Sequence, residues 1–160
     1  MQFTQSMSYP GTVDEVVAMY LTPAYLERRF GRFVVEGSTT VSVEGERVSY
    51  AGTVRPELIP AAATRFVKSD LRVTFTEEWT LNEAEATSRT SVTVDGAPVS
   101  VEATSTLTPS DAGSAREVSG NLSVRVPLLG GRLEKEAVAR VGRLTENEQA
   151  SAAQWLEEHR

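Results

Sequence analysis

At Pro127 the periodicity of this chain changes, and that change narrows the folds open to it. From 32 to 126 valine and threonine dominate, in short runs that alternate apolar with polar residues and are separated by turn signals. From 128 to 158 apolar residues recur at spacings of three, four or their multiples: Leu129, Leu133, Ala137, Val141, Leu144, Ala152 and Trp155. Arg132, Lys135, Arg143 and Glu146 take the other face. The pattern predicts one proline-free helix of roughly 45 Å, at about 1.5 Å per residue, softened at Gly142. Glu136 and Arg140 are spaced for an i,i+4 ion pair on it.

Ahead of the alternating region, residues 1–9 alternate as a first strand. Thr12 and Glu15 form a T-x-x-E capping box, which opens a helix with Val13, Val16, Val17 and Tyr20 on one face. Thr22-Pro23 reads as an N-cap followed by proline at the first helical position. This second short helix should run to about Phe30 and stop at Gly31. Six further strands are expected near 33–44, 46–55, 68–81, 85–94, 98–108 and 115–126. Asp95-Gly96 is the strongest hairpin signal between them. Two prolines in 56–64, PELIPAAAT, limit regular pairing there. Gly130-Gly131 reads as flexible backbone where the last strand meets the helix.

Composition removes whole classes of function. A chain of 160 residues buries roughly two-thirds of its unfolded surface. A net charge of −6 argues against nucleic acid and anionic membranes as partners. Without cysteine there is no disulfide, thiolate metal site or thiol nucleophile. The one histidine, His159, is the penultimate residue, which leaves no His-based triad. The acids lack EF-hand spacing, so neither a metal nor a cofactor is expected. MQFTQSMSYP has no signal-peptide features, and no apolar run reaches the roughly 20 residues of a membrane span. The expected location is the cytoplasm.

Strand, two short helices, antiparallel meander and long terminal helix is the element order of the helix-grip fold, and it resembles the START-like (SRPBCC) superfamily. MQFTQSMSYPGTVDEVVAMYLTPAYLERRF, FTEEWTL and VRVPLLGGRLEKEAV are similar to an uncharacterised, mainly actinobacterial family within that superfamily. The resemblance covers essentially all of 1–160 and implies a single START-like α+β domain. It implies a curved antiparallel sheet of about seven strands wrapped around the C-terminal helix, two short helices after the first strand, and a cavity that often holds an apolar ligand. No catalytic residues carry across from it.

Alternation assigns the inward faces. Val48, Tyr50, Gly52 and Val54 share one strand, and Ser88, Thr90, Val92 and Val94 another. Val99, Val101, Ala103, Ser105 and Leu107 follow, then Val118, Gly120, Leu122, Val124 and Val126. Gly52, Ser88, Ala103, Ser105 and Gly120 are small for core positions. Either the layers close tightly over them or they line a pocket.

Glu77 interrupts LRVTFTEEWTL, placing a carboxylate on the apolar side shared by Leu71, Val73, Phe75, Trp79 and Leu81. A buried carboxylate needs a partner or a wet cavity. Three readings are open: a structural role, as an ion pair with an arginine such as Arg65 or Arg55 or through a bulge that turns Glu77 outward; a polar anchor for a ligand; or a general acid or base. Glu148 raises the same question on the terminal helix, where it reads as solvated. The candidate ligand-binding residues are Tyr50, Phe75, Glu77, Trp79, Thr90, Ser105, Leu133, Ala137 and Val141. The leading functional expectation is binding of a lipid- or polyketide-like apolar or amphipathic molecule between sheet and helix. A polyketide cyclase or dehydratase using Glu77, and a protein-interaction module, are the alternatives. Oligomeric state is left open.

Overall fold

A computed structural model describes residues 1–67 and 69–160. Strand β1 (Gln2–Tyr9) leads into helices α1 (Val13–Tyr20) and α2 (Pro23–Phe30). Strands β2 (Thr40–Glu44), β3 (Arg47–Thr53), β4 (Arg72–Leu81), β5 (Ala86–Asp95), β6 (Val99–Ser110) and β7 (Gly113–Val124) follow. Helix α3 (Gly130–Glu158) closes the chain. The seven strands form one antiparallel sheet in the order β1-β7-β6-β5-β4-β3-β2. This is the α+β helix-grip arrangement expected from the sequence, with β1 placed beside β7.

Local chemistry accounts for most boundaries. The α1 capping box forms in full: Glu15 N–H donates to Thr12 Oγ1 at 3.2 Å, and Thr12 N–H donates to Glu15 Oε1 at 3.0 Å. Pro23 opens α2, but Thr22 does not cap it; its hydroxyl donates back to the Ala18 carbonyl at 2.7 Å. The strand expected over 33–44 begins only at Thr40. Gly31–Phe33 form a 3-10 turn, Val34 makes a lone bridge to Val54, and Gly37 turns the chain at a φ of 81°. Position 68 of the strand expected over 68–81 lies outside the described residues. Prolines break 56–66 into two 3-10 turns, Pro56–Leu58 and Ala61–Phe66.

Gly130 corrects the reading of Gly130-Gly131 as a flexible joint. A Cβ there would lie 2.4 Å from the Val124 carbonyl oxygen, so glycine lets the helix start press onto the end of β7. The expected Glu136–Arg140 pair is replaced by Arg132–Glu136, an exposed contact at 3.4 Å.

The packed core occupies one end of the sheet. Tyr9, Val16, Tyr20 and Tyr25 meet Trp79 and Leu107 and the last turns of α3 through Ala152, Trp155 and Leu156. A second cluster joins Leu26 and Val34 to Val48, Tyr50 and Phe75. Along α3, only Gly130, Leu133, Thr145, Ala152, Trp155 and Leu156 are buried. The stretch of the helix between Glu134 and Leu144 thus bounds space that the core does not fill. Among the described residues, no helix is long and apolar enough to cross a membrane.

Candidate functional site

The space under the first half of α3 is an apolar cavity of about 470 Å³. Val99, Val101, Leu122 and Val124 form its sheet wall. Leu133, Ala137, Val141 and Leu144 form its helical wall. The 3-10 segment covers it with Leu58, Ile59, Pro60, Ala63, Phe66 and Val67. The charged residues on the lining are Glu136 and Arg140, both exposed on α3. Of the nine candidate residues, Leu133, Ala137 and Val141 line this cavity. The other six lie elsewhere.

The small inward residues do not create the cavity. Gly120 leaves room for Phe3, whose ring would sit 2.6 Å from an added Cβ, and for Ala103 at 2.9 Å. Gly52 accommodates Val34, with Cγ1 at 2.9 Å from the same hypothetical atom. Ser88 and Ser105 make space for a guanidinium. Their hydroxyls lie 2.6 Å apart, and Arg116 donates to Ser105 at 2.9 Å and to Ser88 at 3.2 Å.

Arg116 is also the partner of Glu77. Its Nη2 donates to Glu77 Oε2 at 2.9 Å, Thr90 Oγ1 donates to the same oxygen at 2.8 Å, and Trp79 Nε1 donates to Oε1 at 3.1 Å. Glu77 is 1% exposed and Arg116 2%. The structural reading of Glu77 therefore holds, with the arginine corrected: it is Arg116, 39 residues along the chain, and not Arg65 or Arg55. Tyr50 and Phe75 pack together against Phe30, with the Tyr50 hydroxyl donating to Glu27 at 3.1 Å.

A second ion pair lies nearby. Arg29 Nε meets Glu148 Oε1 at 2.6 Å, and the Tyr20 hydroxyl donates to that oxygen at 3.1 Å. Glu148 is thus engaged and largely buried, where a solvated side chain was expected. Tyr20 links the two pairs. The guanidinium carbons of Arg29 and Arg116 lie 5.0 and 4.9 Å from its ring centre. Its hydroxyl also meets that of Tyr9 at 2.7 Å. Two positive and two negative groups therefore share one end of the core.

Electrostatics keep this network ionised. Burial by itself raises the Glu77 carboxyl, but the charges of Arg116 and Arg29 and the bonds from Thr90 and Arg116 outweigh it, holding it below its ordinary 4.5. Burial lowers Arg116, but the Glu77 carboxylate together with Tyr20, Tyr9 and Glu148 outweighs it. Burial pushes the Tyr20 hydroxyl well above its usual 10, so it stays a donor.

With Glu77 titrating below its ordinary value when folded, the unfolded chain takes up that proton first as pH falls. The stability it contributes is complete above about pH 4.5 and is lost as pH drops through the lower folded value. The urea midpoint should fall between about pH 5 and pH 3, and fall less in Glu77→Gln. Equal acid sensitivity in both proteins would contradict this.

Arg116 and Arg29 are the residues that sequence reasoning missed. Arg116 has the same parity as Val118, Gly120 and Leu122, so one more step of the alternation places it inward. Arg29 follows the buried Tyr25 and Leu26 by four and three positions on α2. Among the described residues, no group of three or more His, Cys, Asp or Glu is arranged to hold a metal.

A curved antiparallel sheet, a terminal helix across it and an apolar cavity between them define a helix-grip protein with internal space. The chain belongs to the family described as "Protein of unknown function (DUF2505)", whose model matches residues 4–156. Uncharacterised proteins of Mycobacterium tuberculosis and Mycobacterium bovis are each 28% identical to it, over 96% of this chain and 95% of theirs. A Thermus thermophilus crystal structure matches with a TM-score of 0.63 at 14% identity, covering 99% of both chains. A conserved protein from Geobacillus kaustophilus matches with a TM-score of 0.58 at 18% identity, over 99% of this chain and 96% of its own. These structural likenesses carry the fold alone.

Proposed function

We propose that this protein binds a hydrophobic or amphipathic small molecule in the cavity under α3, as a cytoplasmic member of the START-like superfamily. The observation that carries the reading is the cavity itself. At about 470 Å³ it lies within the roughly 300–1,000 Å³ typical of small-ligand sites. Its walls are almost wholly aliphatic and aromatic, with Glu136 and Arg140 supplying charge from α3. Apolar burial at roughly 25 cal/mol per Å² would supply most of the affinity. Use of Glu77 as the acid–base residue of a cyclase draws no support from this geometry. Both its oxygens accept hydrogen bonds, and it lies outside the cavity lining.

The test is to purify the protein from its native host, denature it and analyse the organic extract by mass spectrometry. In parallel, the recombinant protein is titrated with the neutral fluorophore N-phenyl-1-naphthylamine. The expected results are a co-purifying apolar compound and saturable fluorescence enhancement. An empty extract together with no enhancement would overturn the proposal.

A further inference from the structure

Charge on α3 is divided along its length. The stretch that walls the apolar cavity carries Arg132, Lys135, Arg140 and Arg143 against Glu134 and Glu136. From Leu144 onward the helix carries Glu146, Glu148, Glu157 and Glu158, with no lysine or arginine. On a chain whose net charge is −6, the basic residues of this helix are thus gathered beside the cavity.

Their spacing places them along its edge. Arg132, Glu136, Arg140 and Arg143 recur at steps of four, four and three, which makes them one flank of the helix. Each is followed directly by a residue of the cavity wall: Leu133, Ala137, Val141 and Leu144. All four flank residues are exposed. Glu136, the one acid among them, meets Arg132 at 3.4 Å. Glu134 is engaged elsewhere, by the amino terminus at 3.3 Å and by the Val124 N–H at 2.8 Å. Among the described residues, Arg140 and Arg143 have no carboxylate within ion-pair distance.

The cavity opens on this side. Its exposed lining residues are Leu58 and Pro60 on the 3-10 segment, and Glu136, Arg140 and Leu144 on α3. The opening therefore lies between that segment and the helix. Water reaches it, so a charged end group stays hydrated there while an attached apolar chain is buried. The unpaired cation at that boundary is Arg140.

We propose that Arg140 selects an amphiphile with an anionic head group, held at the opening while its apolar chain fills the cavity. The guanidinium pairs with the head-group oxygens directly, and Arg143 adds attraction along the flank. The assignment rests on the proposed binding function and narrows its ligand to an anionic amphiphile.

Calorimetric titration with dodecanoate, dodecylammonium and dodecanol, below micelle formation at neutral pH and matched salt, tests it. Dodecanoate should bind about fivefold more tightly than dodecylammonium, the scale of one solvent-exposed ion pair, and the difference should shrink with added salt. Arg140→Glu alters an exposed side chain that has no ion-pair partner, so folding is retained. It should reverse the order of the two charged probes and leave dodecanol unchanged. Lys135→Glu makes the same charge change off this flank and should leave the order as it is. Equal affinities for the two charged probes, an order that survives Arg140→Glu, or an equal response to Lys135→Glu would overturn the head-group assignment and leave the cavity reading standing. Absence of binding by all three probes would overturn both.

Discussion

Replacing Arg116 with methionine should lower the unfolding free energy by about 3–5 kcal/mol, the usual result of stripping one partner from a buried ion pair. For a chain of this size that is a fall in melting temperature of roughly 6–20 °C. The cost comes from what remains. Glu77 would keep Thr90 and Trp79 as donors but lose its principal counter-charge in a site that is 1% exposed. Burial would then act on the carboxyl with only the Arg29 charge and the Thr90 hydrogen bond opposing it. Its protonation would move upward, and the variant would gain stability as pH is lowered towards the point where Glu77 becomes neutral. Ser88 and Ser105 would still bond to each other.

The pair of variants Arg116→Met and Glu77→Leu separates a buried-charge penalty from lost packing. If the charge left behind is the main cost, the double variant should be more stable than Arg116→Met alone. Chemical denaturation of the four proteins measures this directly. Strict additivity of the two losses would sink the interpretation. Such an outcome would mean that the guanidinium acts mainly by filling space beside Trp79 and Tyr20, whose ring centres lie 4.8 and 4.9 Å from its central carbon.

Ala137→Phe should have the largest effect on binding. Ala137 is half-buried on the stretch of α3 that faces the cavity, so its Cβ leads into existing space. A phenyl group there would displace on the order of 100 Å² of ligand contact, or about 2.5 kcal/mol. That corresponds to a loss of roughly 60-fold in affinity for N-phenyl-1-naphthylamine. Stability of the unliganded protein should be unchanged or slightly raised, because the substitution fills a void and does not crowd a packed site. Strong destabilisation with retained binding would show that the wall at Ala137 is closed.

Much of this organisation is written locally. The capping box at Thr12 and Glu15, the turns at Gly45 and Gly96, and the change of period after Pro127 each act over a few residues. They fix dihedral choices where the chain itself supplies the chemistry. The inward direction of Glu77 was legible for the same reason, since alternation is a property of a single extended strand. The expected strand over 33–44 failed because a turn at Gly37 and Ser38 has its own hydrogen bond, from the Ser38 hydroxyl to the Val35 carbonyl.

The site is another matter. Strand parity puts Glu77 and Arg116 on one face, but their encounter requires β4, β5, β6 and β7 to lie side by side in register. The small residues at 52, 88, 103, 105 and 120 signalled space without saying what fills it. Phe3, Val34 and the Arg116 guanidinium fill it, while the open volume lies further along the sheet under Ala137 and Val141. The sequence by itself determined the order of elements and the presence of an acid inside. Only the tertiary structure decided its partner and the location of the void. Periodicity follows from backbone geometry within one element, whereas partners and cavities depend on how separate elements approach one another across the fold.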